Sequence, residues 1–148
     1  MQQQALSATV AWVRLERAMA AFEADLRKRF GITGLQLQVL RICAERPQLP
    51  LAALRKALVM HPATLGQSID ELRRMQLVTV RTDPNDRRAR LVALTELGIA
   101  LVSRVPSAGP VRLREVDHDV ARLDRLKAAL EDAIDLFGLA EWVPAKKS

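Results

Sequence analysis

Arginine is concentrated in one short part of this chain. Between positions 73 and 90 the sequence holds six arginines against two aspartates, a net charge of +4. Guanidinium groups stay charged at physiological pH and bind phosphate through paired hydrogen bonds. A cluster of this sign and density therefore predicts a polyanion as the partner. Its arginines are Arg73, Arg74, Arg81, Arg87, Arg88 and Arg90.

The residues around the last four of these arginines predict a β-hairpin. Two short apolar, β-branched runs, Leu77–Val80 and Leu91–Leu94, flank a polar segment with a Pro-Asn pair. Pro-Asn is typical of turns, so we expect a hairpin with a long tip. At this tip, arginines can reach phosphates or enter a narrow minor groove. Asp86 would repel DNA if it pointed outward, and we expect it to hold Arg88 in a fixed posture.

The segment before the hairpin has the spacing of a helix-turn-helix. Leu54 and Leu58 pack the first helix, Val59–His61 form the turn, and Pro62 begins a second helix that runs to about Met75. One face of the second helix is apolar and is expected to be buried, and it holds Leu65, Ile69, Leu72 and Met75. The opposite face and its edges are polar or small, and they hold Ala63, Thr64, Gly66, Gln67, Asp70 and Arg74.

That polar face suits the major groove of DNA. Gln67 can form two hydrogen bonds with adenine, and Thr64 can touch a thymine methyl group or a phosphate. Gly66 permits a close backbone approach, and Asp70 is expected to pair with Arg74 four residues later. The predicted DNA contacts are Thr64, Gly66, Gln67, Arg73, Arg74, Arg81, Arg87, Arg88 and Arg90.

The rest of the chain predicts one domain over residues 1–148, mainly α-helical with a small β-hairpin. The winged-helix lobe covers 33–105, and long amphipathic helices are expected over 5–30 and 111–138. Their apolar stripes either fold back onto the same chain or pack against a second copy. We favour a homodimer with these helices as the interface.

Other kinds of chemistry find little support in the sequence. The single cysteine, Cys43, lies on an apolar helix and is expected to be a buried structural thiol rather than a redox sensor. His61 and His118 lack the spacing of metal ligands, so we expect no metal and no cofactor. No catalytic motif points to an enzyme. Without a secretory signal or an apolar run of ~20 residues, we expect a cytoplasmic protein that does not bind membranes.

The run DPNDRRARLVALTELG resembles the wing of MarR-type regulators. It matches that family's pattern at Asp83, Pro84, Asp86, Arg88, Leu94, Thr95 and Gly98. The resemblance implies a homodimeric transcriptional regulator, most often a repressor, that binds a near-palindromic DNA site. It also implies release from DNA by a small, often aromatic, effector. Gln76 departs from the family, which commonly has glycine there.

A second hypothesis remains open from the sequence. A winged helix can bind another protein and never touch DNA, and the acidic segment 113–141, with a net charge of −4, is compatible with such a role. Salt dependence separates the two hypotheses, because phosphate contacts predict a steep loss of affinity as salt rises.

Overall fold

The computed structural model describes residues 2–58 and 62–145. Within them the chain forms six α-helices, three β-strands and two short 3₁₀ helices. The helices are α1 (Gln2–Phe30), α2 (Gly34–Ala44), α3 (Leu51–Leu58), α4 (Pro62–Arg74), α5 (Glu96–Arg104) and α6 (Val120–Leu136). The strands are β1 (Leu49–Pro50), β2 (Val78–Asp83) and β3 (Asp86–Leu94), and the 3₁₀ helices are Pro110–Glu115 and Ala140–Trp142. The predicted class, mainly helical with a small hairpin, is confirmed.

The starts of two helices follow from their capping residues. The Thr33 side chain accepts a hydrogen bond from the Gln36 amide, and the Gln36 side chain accepts one from the Thr33 amide, which makes a capping box at α2. Thr95 caps α5 by accepting from the Gly98 amide. The turn predicted at Val59–His61 lies outside the described residues.

Aliphatic side chains from α2, α3, α4 and the sheet form the core. Its most deeply buried members include Leu37, Leu40, Leu54, Leu65, Leu72 and Val92. Leu26 is the one residue of α1 in this core, among the described residues. The core therefore fixes α4 against α2 and against the strands that carry the arginines.

The sheet has the order β1-β3-β2, and both pairings are antiparallel. The sequence does not predict β1, because two residues are too few to show a period. Its Leu49 lies opposite Val92 on β3. The sheet thereby ties the hairpin to the segment between α2 and α3.

The long helix predicted over 111–138 is wrong in its first third. Residues 110–115 form a 3₁₀ helix, and α6 begins only at Val120. The Asp119 side chain accepts a hydrogen bond from the Arg122 amide and so provides a local helix start that the apolar spacing does not reveal. The predicted end is close, since Gly138 follows α6 with a φ of 70°.

The chain divides into two compact units, 1–111 and 112–148. The first contains α1 to α5 and the sheet. The second contains α6, which buries none of its own residues. Among the described residues, no helix has both the length and the apolar character needed to cross a membrane.

Candidate nucleic-acid interface

Helix α4 presents one buried and one exposed face. Leu65, Ile69 and Leu72 are buried in the core, as predicted. Thr64, Gln67, Asp70, Arg73 and Arg74 are exposed, and Gly66 is half-buried with open space where a Cβ atom would lie. Met75 was expected on the buried face, but it follows the end of α4 and is exposed. The exposed face is therefore free of large apolar side chains and can approach a polar surface.

Asp70 pairs differently from the prediction. Its carboxylate lies 3.9 Å from a guanidinium nitrogen of Arg73, three residues later. Arg74 instead donates its Nε–H to the Asp70 backbone carbonyl at 3.4 Å. Both spacings bring side chains together on a helix, so spacing alone does not choose the partner. The three residues line one surface depression near the end of α4.

The hairpin formed by β2 and β3, here called the wing (78–94), is longer and its turn shorter than predicted. The strands pair as far as Asp83 opposite Asp86, so Pro84 and Asn85 alone connect them. The predicted long tip is therefore wrong. A two-stranded ribbon in solvent is stabilised by its backbone hydrogen bonds, so its polar part can remain a strand without an apolar pattern.

Both aspartates at the turn are engaged by backbone amides. The Asp83 carboxylate accepts from the Asn85 amide at 2.9 Å, and the Asp86 carboxylate accepts from the Arg88 amide at 3.0 Å. Asp86 thus holds Arg88 through its backbone and not through its guanidinium group. These bonds fix the turn and direct the two carboxylates toward the protein's own backbone.

The arginines of the wing lie on both of its faces. Arg81 lies opposite Leu91, and Arg90, the neighbour of Leu91 along β3, points to the other side of the ribbon. Arg87 and Arg88 lie in the part of β3 where the pairing with β2 is irregular, so simple alternation does not assign their faces. All four are exposed, and none forms an ion pair within the described part of the chain. Such a ribbon offers positive charge to two opposite surfaces at once.

The base of the wing is fixed to the end of α4 by Thr95 and Gly98. The Thr95 hydroxyl donates to the Gln76 carbonyl at 2.6 Å, and the Thr95 amide donates to the Leu77 carbonyl at 3.1 Å. A Cβ atom at Gly98 would overlap that same Leu77 carbonyl. The threonine and glycine that end the wing motif therefore hold the wing in place relative to α4.

The remaining candidates for chemistry lie elsewhere. Cys43 is buried, and burial raises the pKa of its thiol from 9.0 to about 11, which keeps the thiol protonated and unreactive at neutral pH. His61 lies outside the described residues, and His118 is exposed. Within 2–58 and 62–145, no group of three His, Cys, Asp or Glu residues could hold a metal ion.

Comparison with known proteins finds a similarity to one family. Residues 30–89, from the end of α1 to the early part of β3 in the wing, match the model of the MarR family. The winged-helix lobe of this chain is thus similar to the MarR family over most of its length. MarR proteins are transcriptional regulators and not enzymes.

Relatives and solved structures extend the MarR likeness beyond the lobe. The homoprotocatechuate degradative operon repressor of Escherichia coli is 26% identical over 133 residues, which cover 88% of this chain and 89% of the relative. The HTH-type transcriptional repressor NicR of Pseudomonas putida is 37% identical over 75 residues, which cover 49% of this chain and 48% of NicR. Sco3205, a MarR family regulator of Streptomyces coelicolor solved in complex with DNA, superposes with a TM-score of 0.67 at 17% identity, covering 86% of this chain and 87% of Sco3205. The MarR fold thus covers most of this chain.

Proposed function

We propose that this protein is a homodimeric, sequence-specific DNA-binding repressor of the MarR type. The observation that carries the proposal is the joint presentation of two surfaces by one rigid lobe. The exposed face of α4 offers side chains that read bases, and the wing beside it offers four exposed arginines. Thr95 and Gly98 hold the two together. The relatives named as repressors, and Sco3205 in its complex with DNA, support this function.

In this proposal α4 lies in the major groove. Gln67 pairs with adenine, and Thr64 touches a thymine methyl group or a phosphate. Gly66 allows the helix backbone to come close to the base edges, because no side chain stands between them. Arg73 and Arg74 bind the phosphates beside the groove.

The wing lies along the adjacent minor groove. Arg88 is at the turn, with its backbone fixed by Asp86, and enters the groove where the negative potential is strongest. Arg81, Arg87 and Arg90 bind phosphates on the two walls, and Arg81 and Arg90 point to opposite faces of the ribbon. Each such contact displaces counterions, so the affinity falls steeply with salt.

A second copy of the chain completes the regulator. The terminal helices expose large apolar side chains at helical spacing, and on α6 these include Leu126, Leu130 and Ile134. On α1 they include Leu6 and Val10. An apolar stripe of this kind packs against other helices, and a twofold dimer would place two α4 helices on two half-sites.

A small aromatic compound is the proposed effector. The Escherichia coli relative is named as the repressor of an operon that degrades homoprotocatechuate, an aromatic acid. We propose that a molecule of this class releases the regulator from DNA, with no metal or cofactor involved. The protein would act in the cytoplasm, where a regulator of this type meets its operator.

Selection from random duplex DNA, with the stoichiometry measured, tests the proposal. We expect an inverted repeat with half-sites about one helical turn apart, bound by two chains. Failure to enrich any sequence, together with weak and salt-sensitive binding, would favour the protein-interaction hypothesis. Aromatic acids are then added to the complex, and release of the enriched duplex identifies an effector.

Arg88 provides the sharpest single test of the wing. Arg88→Ala should weaken operator binding about tenfold and lower the salt slope by about one, because one phosphate or groove contact is lost. Arg125→Ala removes the same charge from an exposed position of α6 and should leave binding within about twofold. Equal affinities of the two variants, measured by fluorescence anisotropy, would contradict the placement of the wing.

A further inference from the structure

The start of α2 is a polar junction inside an otherwise apolar core. Gln36, the third residue of α2, is 2% exposed and is the one buried polar residue among the described residues. Its Oε1 accepts a hydrogen bond from the Thr33 amide at 2.9 Å, which completes the capping box. A buried amide side chain must satisfy both of its ends, so its Nε2 group also requires a partner.

That partner lies on α4, the helix proposed to contact the bases. Gln36 Nε2 donates to Glu71 Oε2 at 2.7 Å, and Glu71 lies on α4 between the exposed Asp70 and the buried Leu72. The bond is short, reaches a charged acceptor, and joins positions 35 residues apart. It connects a side chain of α2 directly to a side chain of α4.

A third contact connects the same junction to α1. Glu23 Oε2 accepts a hydrogen bond from the Gly34 amide at 2.9 Å, at the N-terminus of α2. A carboxylate is favourable there, because the first amides of a helix lack partners and carry partial positive charge. A Cβ atom at Gly34 would overlap the Glu23 carboxylate in its present position, so a larger residue there would require this flexible side chain to move.

We propose that Gln36 is a positioning residue for DNA reading, which sets the rotation of α4 through Glu71 and ties it, through the start of α2, to Glu23 on α1. The proposal rests on the proposed function for its DNA readout. Hydrophobic contacts at Leu65, Ile69 and Leu72 tolerate small rotations, whereas a hydrogen bond is directional. Rotation of a helix of ~5 Å radius by ~20° moves its outer atoms by roughly 2 Å, which breaks a bidentate base contact.

The amide at position 36 is essential to this arrangement. A glutamate could still accept from the Thr33 amide, but it would have no proton for Glu71 and would place two carboxylates side by side. Two neighbouring carboxylates repel, and one of them takes up a proton as the pH falls. Gln36→Glu should therefore damage the junction at pH 8 and damage it less at pH 5.

Reversal of the bond gives a rescue experiment. In the double variant Gln36→Glu with Glu71→Gln, the amide introduced at position 71 can donate to the carboxylate introduced at position 36, and the capping box is kept. We expect Gln36→Glu to lower the affinity for the selected operator at least tenfold, with non-specific binding unchanged, and the double variant to regain it to within about threefold. Gln38→Glu makes the same change two residues later on α2 and serves as the control.

Amide hydrogen exchange of α4 in the free protein separates this proposal from the proposed function. Gln36→Glu should speed exchange in residues 64–74, and the double variant should restore protection. Unchanged exchange, or a double variant as impaired as the single one, overturns the proposal. If the wild-type chain selects no DNA, the proposed function fails, while the exchange pattern still decides whether the junction positions α4.

A milder substitution covers the case in which Gln36→Glu does not fold. Glu71→Ala removes the acceptor at a half-buried site and leaves the core side chains in place. It should lower operator affinity and loosen α4 in the same way. An affinity and exchange pattern equal to those of the wild type would overturn the positioning role.

Discussion

The two units of this chain use the same apolar spacing with opposite results. In α2 to α5 of the first unit, helical stripes such as Leu65, Ile69 and Leu72 are buried by other elements of that unit, whereas most of the apolar stripe of α1 is exposed. In residues 112–145 no side chain is buried, although Leu126, Leu130 and Ile134 form an equally regular stripe. An amphipathic pattern therefore predicts that a face will be covered, but it does not say by which surface.

This difference in burial predicts that truncation of a leucine lowers the free energy of unfolding far more in the first unit than in the second. Leu54→Ala leaves a cavity in a fully buried site and should lower the free energy of unfolding by about 2–5 kcal/mol. Leu136→Ala, at a site that is 82% exposed, should change it by less than about 0.5 kcal/mol. Urea denaturation followed by circular dichroism measures both. Similar costs for the two variants would show that the units are not packed as described.

A charge placed on the α6 stripe tests what covers it. If a second copy does, Leu130→Glu should raise the dissociation constant of the dimer on the order of 100-fold, because the carboxylate would be buried without a partner. Ala128→Glu adds the same charge on the opposite side of α6 and should leave the dimer intact. Sedimentation velocity over a range of concentrations gives the constants. A wild-type chain that sediments as a monomer would remove the proposed dimer.

The reactivity of a thiol should also differ between the buried core of the first unit and the exposed surface of α6. The pKa of Cys43 is raised by burial from 9.0 to about 11, so its thiolate fraction at pH 7.5 is about 100-fold below that of an ordinary thiol. Labelling should be slower by at least this factor than at a cysteine introduced by Ala121→Cys on exposed α6. The raised pKa also stabilises the folded state below pH 9, and this contribution should be lost as the pH rises towards 11. Rapid labelling of Cys43 in the native protein would contradict the burial.

Local signals in the sequence predict most of the lobe. Thr33 and Thr95 mark the starts of α2 and α5 because a cap depends on residues three positions away. The apolar face of α4 is likewise visible from its period. The ends of the strands are not visible in the sequence, because backbone pairing continues through polar residues such as Thr82 and Arg90, which carry no apolar signal.

The rest of the candidate site depends on contacts between distant residues. The bond from Gln36 to Glu71 spans 35 positions, and no local pattern identifies that partner. The capping-box spacing of Thr33 and Gln36 is a usable signal for half of this junction. The choice of Arg73 over Arg74 as partner of Asp70 depends on side-chain rotamers, which the sequence leaves open.

The last comparison concerns the ends of α4 and α6, which close in the same way. At α4 the Gln76 and Leu77 amides donate to the Arg73 and Leu72 carbonyls, and Gln76 has a φ of 60°. At α6 the Gly138 and Leu139 amides donate to Asp135 and Ile134, and Gly138 has a φ of 70°. Both are Schellman motifs, whose left-handed residue favours glycine. Helix α4 is therefore followed by a strained residue, Gln76, whereas α6 is followed by Gly138, which adopts this conformation without strain.

Exchange of these two residue types should shift stability in opposite directions. Gln76→Gly should stabilise the fold by about 0.5 kcal/mol, because relief of ~1–2 kcal/mol of strain outweighs the ~0.5–1 kcal/mol entropic cost of glycine. Gly138→Gln should destabilise α6 by a similar amount, since a Cβ there meets open space and only the backbone is strained. Urea midpoints with unchanged slopes report both. If Gln76→Gly proves destabilising, the Gln76 side chain contributes more stability than the strain removes, and the expected sign is contradicted.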